Sequence, residues 1–135
     1  EKDAFLATGH ISPEESLILC REGRKRGVNM ILTHPEFPRT RIGRDDQAEL
    51  AKLGVVIEKN WFNLAQKSVM PEEMAETIRT VGSGHVYLAT DRGQKGAPTP
   101  VSELKRFIAV MLTCGIAEAQ IRDMVQKVPE EVVCR

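Results

Sequence analysis

The feature that most constrains the fold is an alternation, repeated four times, between short apolar runs and longer segments with helical patterning. The apolar runs lie at residues 4–7, 28–32, 55–58 and 85–89. Short strands that are apolar throughout, separated by helical segments of roughly 10–15 residues, are typical of parallel strands buried on both faces. The sequence therefore predicts an α/β fold made of parallel βα units.

Capping signals indicate where the helices begin. Ser12, Pro13 and Glu15 combine an N-cap, a proline in the first helical turn and a capping-box glutamate, so a helix is predicted directly after the first apolar run. The other predicted helices lie at about 45–53, at 71–81, from 100 onward and at 117–127. The stretch 59–69 is predicted to be a loop.

Four βα units are half of a (β/α)8 TIM barrel, which normally needs about 250 residues. A chain of 135 residues cannot close such a barrel in one copy. We therefore predict one domain over residues 1–135, a (β/α)4 half of a barrel with an extra C-terminal helix, and we expect it to be part of a longer protein. The other half would come from a homo-oligomer of this chain or from a missing half of the polypeptide.

Charge and composition narrow the classes of partner. Lysine plus arginine equal aspartate plus glutamate at 19 each, so the net charge is zero and no long-range field favours nucleic acid. No apolar run approaches the roughly 20 residues that a membrane-spanning helix needs. The three cysteines form no CxxC pair, which suits a reducing compartment. We expect a cytoplasmic protein that acts on a small-molecule substrate, without a nucleic-acid or membrane partner.

Three residues with metal-ligand chemistry directly follow apolar runs. His10 follows the first run, His34 the second and Asp91 the fourth. Because the carboxyl ends of parallel strands face one shared crevice, these side chains are expected at the same rim of the sheet. Two imidazoles and a carboxylate suit zinc, with iron or manganese as alternatives. His85 stands at the start of the fourth run, hence at the opposite rim, and is predicted to be structural.

The order His10, His34, a strand without a ligand, then Asp91 resembles the C-terminal half of the amidohydrolase superfamily of metal-dependent barrel hydrolases. In that superfamily a histidine ends the fifth strand, another ends the sixth and an aspartate ends the eighth. The resemblance implies that His10 and His34 bind a divalent metal, and that Asp91 both contacts the metal and accepts a proton from the attacking water. The superfamily also uses a His-x-His pair on its first strand and often a lysine or glutamate on its fourth. This chain begins after those positions, so the resemblance implies dependence on a missing N-terminal half.

Further polar and aromatic residues follow the same strand ends and are candidates for substrate contacts. These are Glu36, Asn60, Trp61, Arg92 and Gln94. Arg92 has two interpretations, because a guanidinium either binds a substrate anion bidentately or pairs with a neighbouring acid. Glu58 and Lys59, adjacent at the end of the third strand, are expected to pair with each other.

The leading hypothesis is a hydrolase that uses metal-activated water on an amide, an ester or a related bond. Two alternatives stay open at the level of sequence. One is a metal-free barrel lyase or aldolase in which His34 and Asp91 perform acid–base chemistry. The other is a non-catalytic half-barrel whose exposed strand edges pair between copies.

Overall fold

The computed structural model describes residues 4–134, in which four parallel strands form a single sheet in the order β1-β2-β3-β4. The strands are β1 (Phe5–Ala7), β2 (Asn29–Leu32), β3 (Val56–Asn60) and β4 (Val86–Ala89). Helical segments separate them along the chain. The predicted α/β class, with parallel strands that alternate with helices, is confirmed.

The helices begin close to the predicted capping signals. They are α1 (Pro13–Lys25), α2 (Arg44–Lys52), α3 (Trp61–Ala65), α4 (Pro71–Val81), α5 (Pro100–Thr113), α6 (Glu118–Arg122) and α7 (Val128–Val133), with a 3₁₀ turn at Ser83–His85. Ser12 and Glu15 form the predicted capping box at the start of α1. No helix among residues 4–134 is long and apolar enough to cross a bilayer.

The region between β3 and α4 differs from the prediction of a loop over 59–69. Strand β3 continues through Asn60, and α3 follows it directly. The side chain of Asn60 accepts a hydrogen bond from the backbone N–H of Phe62 and so caps α3. The prediction was wrong here because the polar end of β3 lacks the apolar pattern of a buried strand.

The C-terminal helical segment is longer than the predicted helix at 117–127. A π-helical turn at Asp123–Lys127 joins α6 to α7, which ends at Val133. Pro129, which has no backbone N–H to donate, lies in the first turn of α7 directly after this π turn. The irregular turn therefore occurs where proline interrupts the regular hydrogen-bond ladder.

The sheet has two chemically different faces. Connections between parallel strands are right-handed, so four strands in sequential order carry their connecting helices on one face. On that face the strand side chains join the helices in one hydrophobic core, and all are at most 7% exposed: Met30, Leu32, Ile57, Val86 and Leu88. The opposite side, here called the Glu58 face, is defined by the alternate residues of the paired strands: Ala7, Ile31, Glu58, Asn60 and Tyr87.

The buried cation Lys59 belongs to the helix-covered face. It is 0% exposed, forms an ion pair with Glu36 and donates to Gln47 Oε1 at 2.6 Å. The expected pairing of Glu58 with Lys59 was wrong, because successive side chains of a strand point to opposite faces. Lys59 instead joins β3 to the segment that follows β2.

Removal of the Lys59 ammonium should destabilise the fold. Lys59→Ala leaves Glu36 as an uncompensated buried carboxylate, and we expect the free energy of unfolding to fall by about 3–5 kcal/mol. Lys59→Met combined with Glu36→Gln removes both charges and should recover much of this loss. Urea denaturation measures the effect, with the exposed Lys105→Ala as control. A loss below about 1 kcal/mol for Lys59→Ala would contradict the structural role of the pair.

Two of the cysteines, Cys20 and Cys134, should differ in their reaction with a thiol reagent. Cys20 is fully buried, and burial raises the pKa of its thiol to about 11. At pH 8 roughly one Cys20 thiol in a thousand is then the reactive thiolate, and this fraction rises as the pH approaches 11. Cys134 is exposed. In the native protein we expect Cys134→Ala to abolish a fast labelling phase and Cys20→Ala to leave it unchanged. Fast labelling of Cys20 would contradict its burial.

Candidate functional site

His10 and His34 come together where the adjacent strands β1 and β2 end. Their ring centroids lie 5.0 Å apart with the planes tilted by 40°. Phe37 lies 6.5 Å from each imidazole, centroid to centroid. The side chain of Thr8 accepts a hydrogen bond from Thr33 N at 3.0 Å and thereby joins the two strand ends. The predicted neighbourhood of the two histidines is thus present in the structure.

The backbone at His34 adopts a conformation that non-glycine residues rarely use. Its φ is +49°, in the left-handed region. The His34 carbonyl accepts hydrogen bonds from Thr40 Oγ1 at 2.6 Å and from Phe37 N at 3.0 Å, which hold the turn. Asp91 shares this feature, with a φ of +50°, and so does Lys67 in the turn after α3, with a φ of +56°. Such conformations cost energy and concentrate at functional sites, so two of the three predicted ligands stand at strained strand ends.

A buried carboxylate on the Glu58 face contacts the His34 ring. Glu58 is 6% exposed, and its Oε1 lies 3.4 Å from His34 Nδ1. The same oxygen accepts from Asn60 Nδ2 at 2.7 Å, and Oε2 accepts from the Tyr87 hydroxyl at 3.3 Å. Burial and the negative charge of Glu58 raise the pKa of Tyr87, so its hydroxyl stays protonated and donates. These groups fix the carboxylate beside the imidazole.

Asp91 does not join the histidine pair. Its side chain is exposed, and its backbone carbonyl accepts from Gln94 Nε2 at 3.1 Å. Within residues 4–134 there is no group of three or more His, Cys, Asp or Glu side chains close enough to hold one ion. Asp91 follows β4, which lies two strands from β2 in the sheet, or about 10 Å at the usual strand spacing. The structure therefore brings together two of the three predicted ligands.

The chemistry of the histidine pair fits two ligand positions of a divalent ion. Imidazole nitrogen is a common zinc ligand, and a ligating histidine usually directs its other ring nitrogen to a carboxylate. His34 has this arrangement, since its Nδ1 lies beside Glu58. A four-coordinate zinc needs further ligands, which a water, a substrate or groups beyond the pair would supply.

The aromatic and cationic candidates after β3 and β4 are held by a second buried carboxylate, Glu103 of α5. Trp61 Nε1 donates to Glu103 Oε2, and Arg92 Nε lies 3.3 Å from the same oxygen. The Arg92 guanidinium also lies over the ring of Phe62, 5.4 Å from its centroid, and Trp61 packs against Phe107. Of the two interpretations of Arg92, the structure has the pairing with a neighbouring acid.

Glu36 lines a separate cavity of about 370 Å³. Its Oε1 is bound to Lys59, whereas its buried Oε2 has no hydrogen-bond partner in the described part of the chain. Arg41, Gln47 and Thr77 also line this cavity. Glu36 thus forms an ion pair with Lys59 on the helix-covered face, and it also forms part of the wall of this cavity.

Sequence reasoning missed Glu58 and Tyr87 as neighbours of the candidate site. The available signal was the i, i+2 spacing of Glu58 and Asn60, which places both side chains on one face of a strand. Tyr87 is the cross-strand partner of Glu58 in the β3–β4 register, a relation that sequence alone does not give.

Comparison with known proteins gives a similarity over part of the chain. Residues 1–58 match the model of a family of unknown function (DUF6282). The matched part contains His10, His34 and Glu58 but not Asp91, and it covers fewer than half of the 135 residues. No curated protein and no solved structure matches the chain. The chain is therefore similar, over its first two βα units and the beginning of the third strand, to a family whose function is unknown.

Proposed function

We propose that this chain is the C-terminal half-barrel of an amidohydrolase-like, metal-dependent hydrolase that acts on an amide, an ester or a related bond of a small molecule. One observation carries the proposal: two histidines at the ends of adjacent parallel strands lie with their rings 5.0 Å apart. In parallel α/β folds this is the end of the sheet where catalytic groups collect.

Each residue has a definite role in the proposed site. His10 and His34 hold the ion, with zinc as the preferred metal and iron or manganese as alternatives. A divalent ion at this position would polarise the scissile bond and make water more acidic. Asp91 accepts the proton of the attacking water and delivers it to the leaving group. For this role Asp91 must approach the histidines more closely than its exposed position in the chain alone allows.

The half-barrel assignment is supported by the strand order. Four parallel strands in sequential order, with helices between them, have the topology of an arc of a (β/α)8 barrel. Leu6 on the edge strand β1 is 46% exposed, as expected if additional βα units cover that edge. A second copy of the chain, or a missing N-terminal half, would supply these units. Barrel closure would also curve the sheet and bring the ends of β2 and β4 closer.

A metal-free lyase or aldolase is the second candidate, and one contact favours it. His34 Nδ1 lies 3.4 Å from the buried Glu58 carboxylate, an arrangement that also suits a histidine in general acid–base catalysis. Asp91 would again be the second acid–base group. The two candidates differ in their dependence on metal.

Zinc binding tests the leading proposal. We expect the purified chain, after incubation with zinc and removal of excess metal, to retain close to one zinc ion per chain. His10→Ala and His34→Ala should each weaken the affinity at least about tenfold, because each removes a ligand. His85→Ala is the matched control, since His85 is exposed in the turn before β4. Titration calorimetry and elemental analysis provide the measurement.

The role of Asp91 is tested separately. Asp91→Asn should lower the rate of ester or amide hydrolysis by at least about 100-fold while the fold persists, because the variant loses its proton acceptor.

Zinc binding that His34→Ala leaves unchanged would overturn the metal site. Hydrolysis or retro-aldol activity that persists in chelator would favour the metal-free candidate.

Closure by a second copy predicts a dimer. Light scattering should give twice the 15.1 kDa mass of the chain. Leu6→Arg places a charge on the edge strand and should shift the protein to monomer. Met70→Arg is the control. Met70 is also exposed, at 57%, but it lies at the start of α4, in the helical connection from β3 to β4, and not on an edge strand. A monomeric parent chain, or a dimer that Leu6→Arg does not affect, would exclude closure by a second copy.

A further inference from the structure

The polar contacts of the His34 imidazole lie at one ring nitrogen, Nδ1. Its side chain is 14% exposed, and the polar neighbours of its ring nitrogens, within residues 4–134, are both at Nδ1. Asn60 Nδ2 lies 3.2 Å from Nδ1, and Glu58 Oε1 lies 3.4 Å from it. A neutral imidazole carries one proton, so the neighbour that dominates at Nδ1 decides which ring nitrogen keeps a free lone pair.

The two neighbours favour opposite tautomers. Glu58 is an acceptor and favours a proton on Nδ1, which leaves Nε2 free to bind a ligand. The Asn60 amide is a donor and favours a bare Nδ1 with the proton on Nε2. The orientation of this amide is fixed, because Asn60 Oδ1 accepts from Phe62 N at 2.8 Å as the cap of α3. Asn60 Nδ2 therefore points toward both Glu58 and His34.

The carboxylate should win this competition. A hydrogen bond with a charged partner is roughly twice as strong as one between neutral groups. Asn60 Nδ2 already donates to Glu58 Oε1 at 2.7 Å, and the Tyr87 hydroxyl holds the other carboxylate oxygen. Glu58 is thus fixed from two sides, and its Oε1 lies 3.4 Å from Nδ1, a contact that a proton on Nδ1 would turn into a charge-assisted hydrogen bond. Its burial at 6% exposure keeps water from competing for the same contact.

We propose that Glu58 is a positioning residue: it holds His34 as the Nδ1–H tautomer and so presents the Nε2 lone pair to a metal or substrate. The relevance to metal binding rests on the proposed function, whereas the tautomer itself does not. This assigns a role to β3, the strand to which the resemblance gives no ligand.

The direct test is the tautomer of His34 in metal-free protein. Long-range proton–nitrogen spectra of ¹⁵N-histidine-labelled chain, recorded above about pH 8.5 where an ordinary imidazole is neutral, distinguish the two forms. His34→Ala assigns the signals. We expect the Nδ1–H form to dominate in the parent, and Glu58→Gln to shift the ratio toward Nε2–H by about fivefold or more. Glu103→Gln, a change at another buried carboxylate, should leave the ratio unchanged.

If Glu58→Gln does not fold, Glu58→Asp serves instead, because it keeps the charge but withdraws it from Nδ1 by one methylene. A dominant Nε2–H form in the parent would overturn the inference, as would a ratio that neither Glu58 variant alters. If Glu58 had only a structural role, its variants would lower the stability of the fold without changing the tautomer ratio.

Zinc affinity separates this inference from the proposed function. We expect Glu58→Gln to weaken zinc binding about 10- to 100-fold, the usual effect of losing a partner that orients a ligating histidine. Glu103→Gln should bind within about threefold of the parent. Loss of zinc in His34→Ala with parental affinity in Glu58→Gln would reject the positioning role and keep the metal site. The opposite result is a tautomer ratio that shifts in Glu58→Gln together with zinc binding that His34→Ala leaves unaffected. It would keep the positioning role and reject the metal site.

Discussion

The alternation of side chains along β3 organises both the core and the candidate site. Two adjacent charged residues, Glu58 and Lys59, point to opposite faces of the sheet, and each is buried. Lys59 enters the helix-covered side and pairs with Glu36 there, whereas Glu58 lies beside His34. A shift of this strand by one residue would exchange these environments and leave both charges without their partners. The register of β3 is therefore fixed by polar contacts as well as by apolar ones.

Buried polar groups destabilise a fold unless they form hydrogen bonds. Most of the buried polar groups near His34 form them. Glu58 has contacts to three side chains, and the Asn60 amide both caps α3 and reaches the carboxylate. The network thus links a strand end, a helix start and an imidazole in one rigid unit. Such preorganisation is what a ligand site requires, because a supporting shell that is already ordered loses little entropy on binding.

The sequence allowed much of the fold to be predicted, because local signals determine helix starts. The capping box at Ser12 and the prolines at the starts of α4 and α5 act over a few residues. The end of β3 was missed because it lacks the apolar pattern of a buried strand, and its buried Lys59 is balanced by the distant Glu36. Helix α3 was missed with it, although Asn60 supplies a local cap. The histidine pair was predictable from strand ends, whereas Glu58 required knowledge of which face it occupies. Asp91 lies apart from that pair in the described part of the chain, and its approach to the pair is a proposal.

The left-handed backbone at His34 and Asp91 restricts which sequences can occupy these turns. Asparagine, aspartate and glycine tolerate a positive φ, whereas β-branched residues do not. Random replacement at either position would therefore yield folded proteins mainly with glycine, asparagine, aspartate or histidine. Few substitutions of His34 are therefore compatible with a stable fold. If asparagine replaced it, a later change back to histidine would require no change in the backbone conformation. The geometry of the turn thus limits the evolutionary routes open to this site.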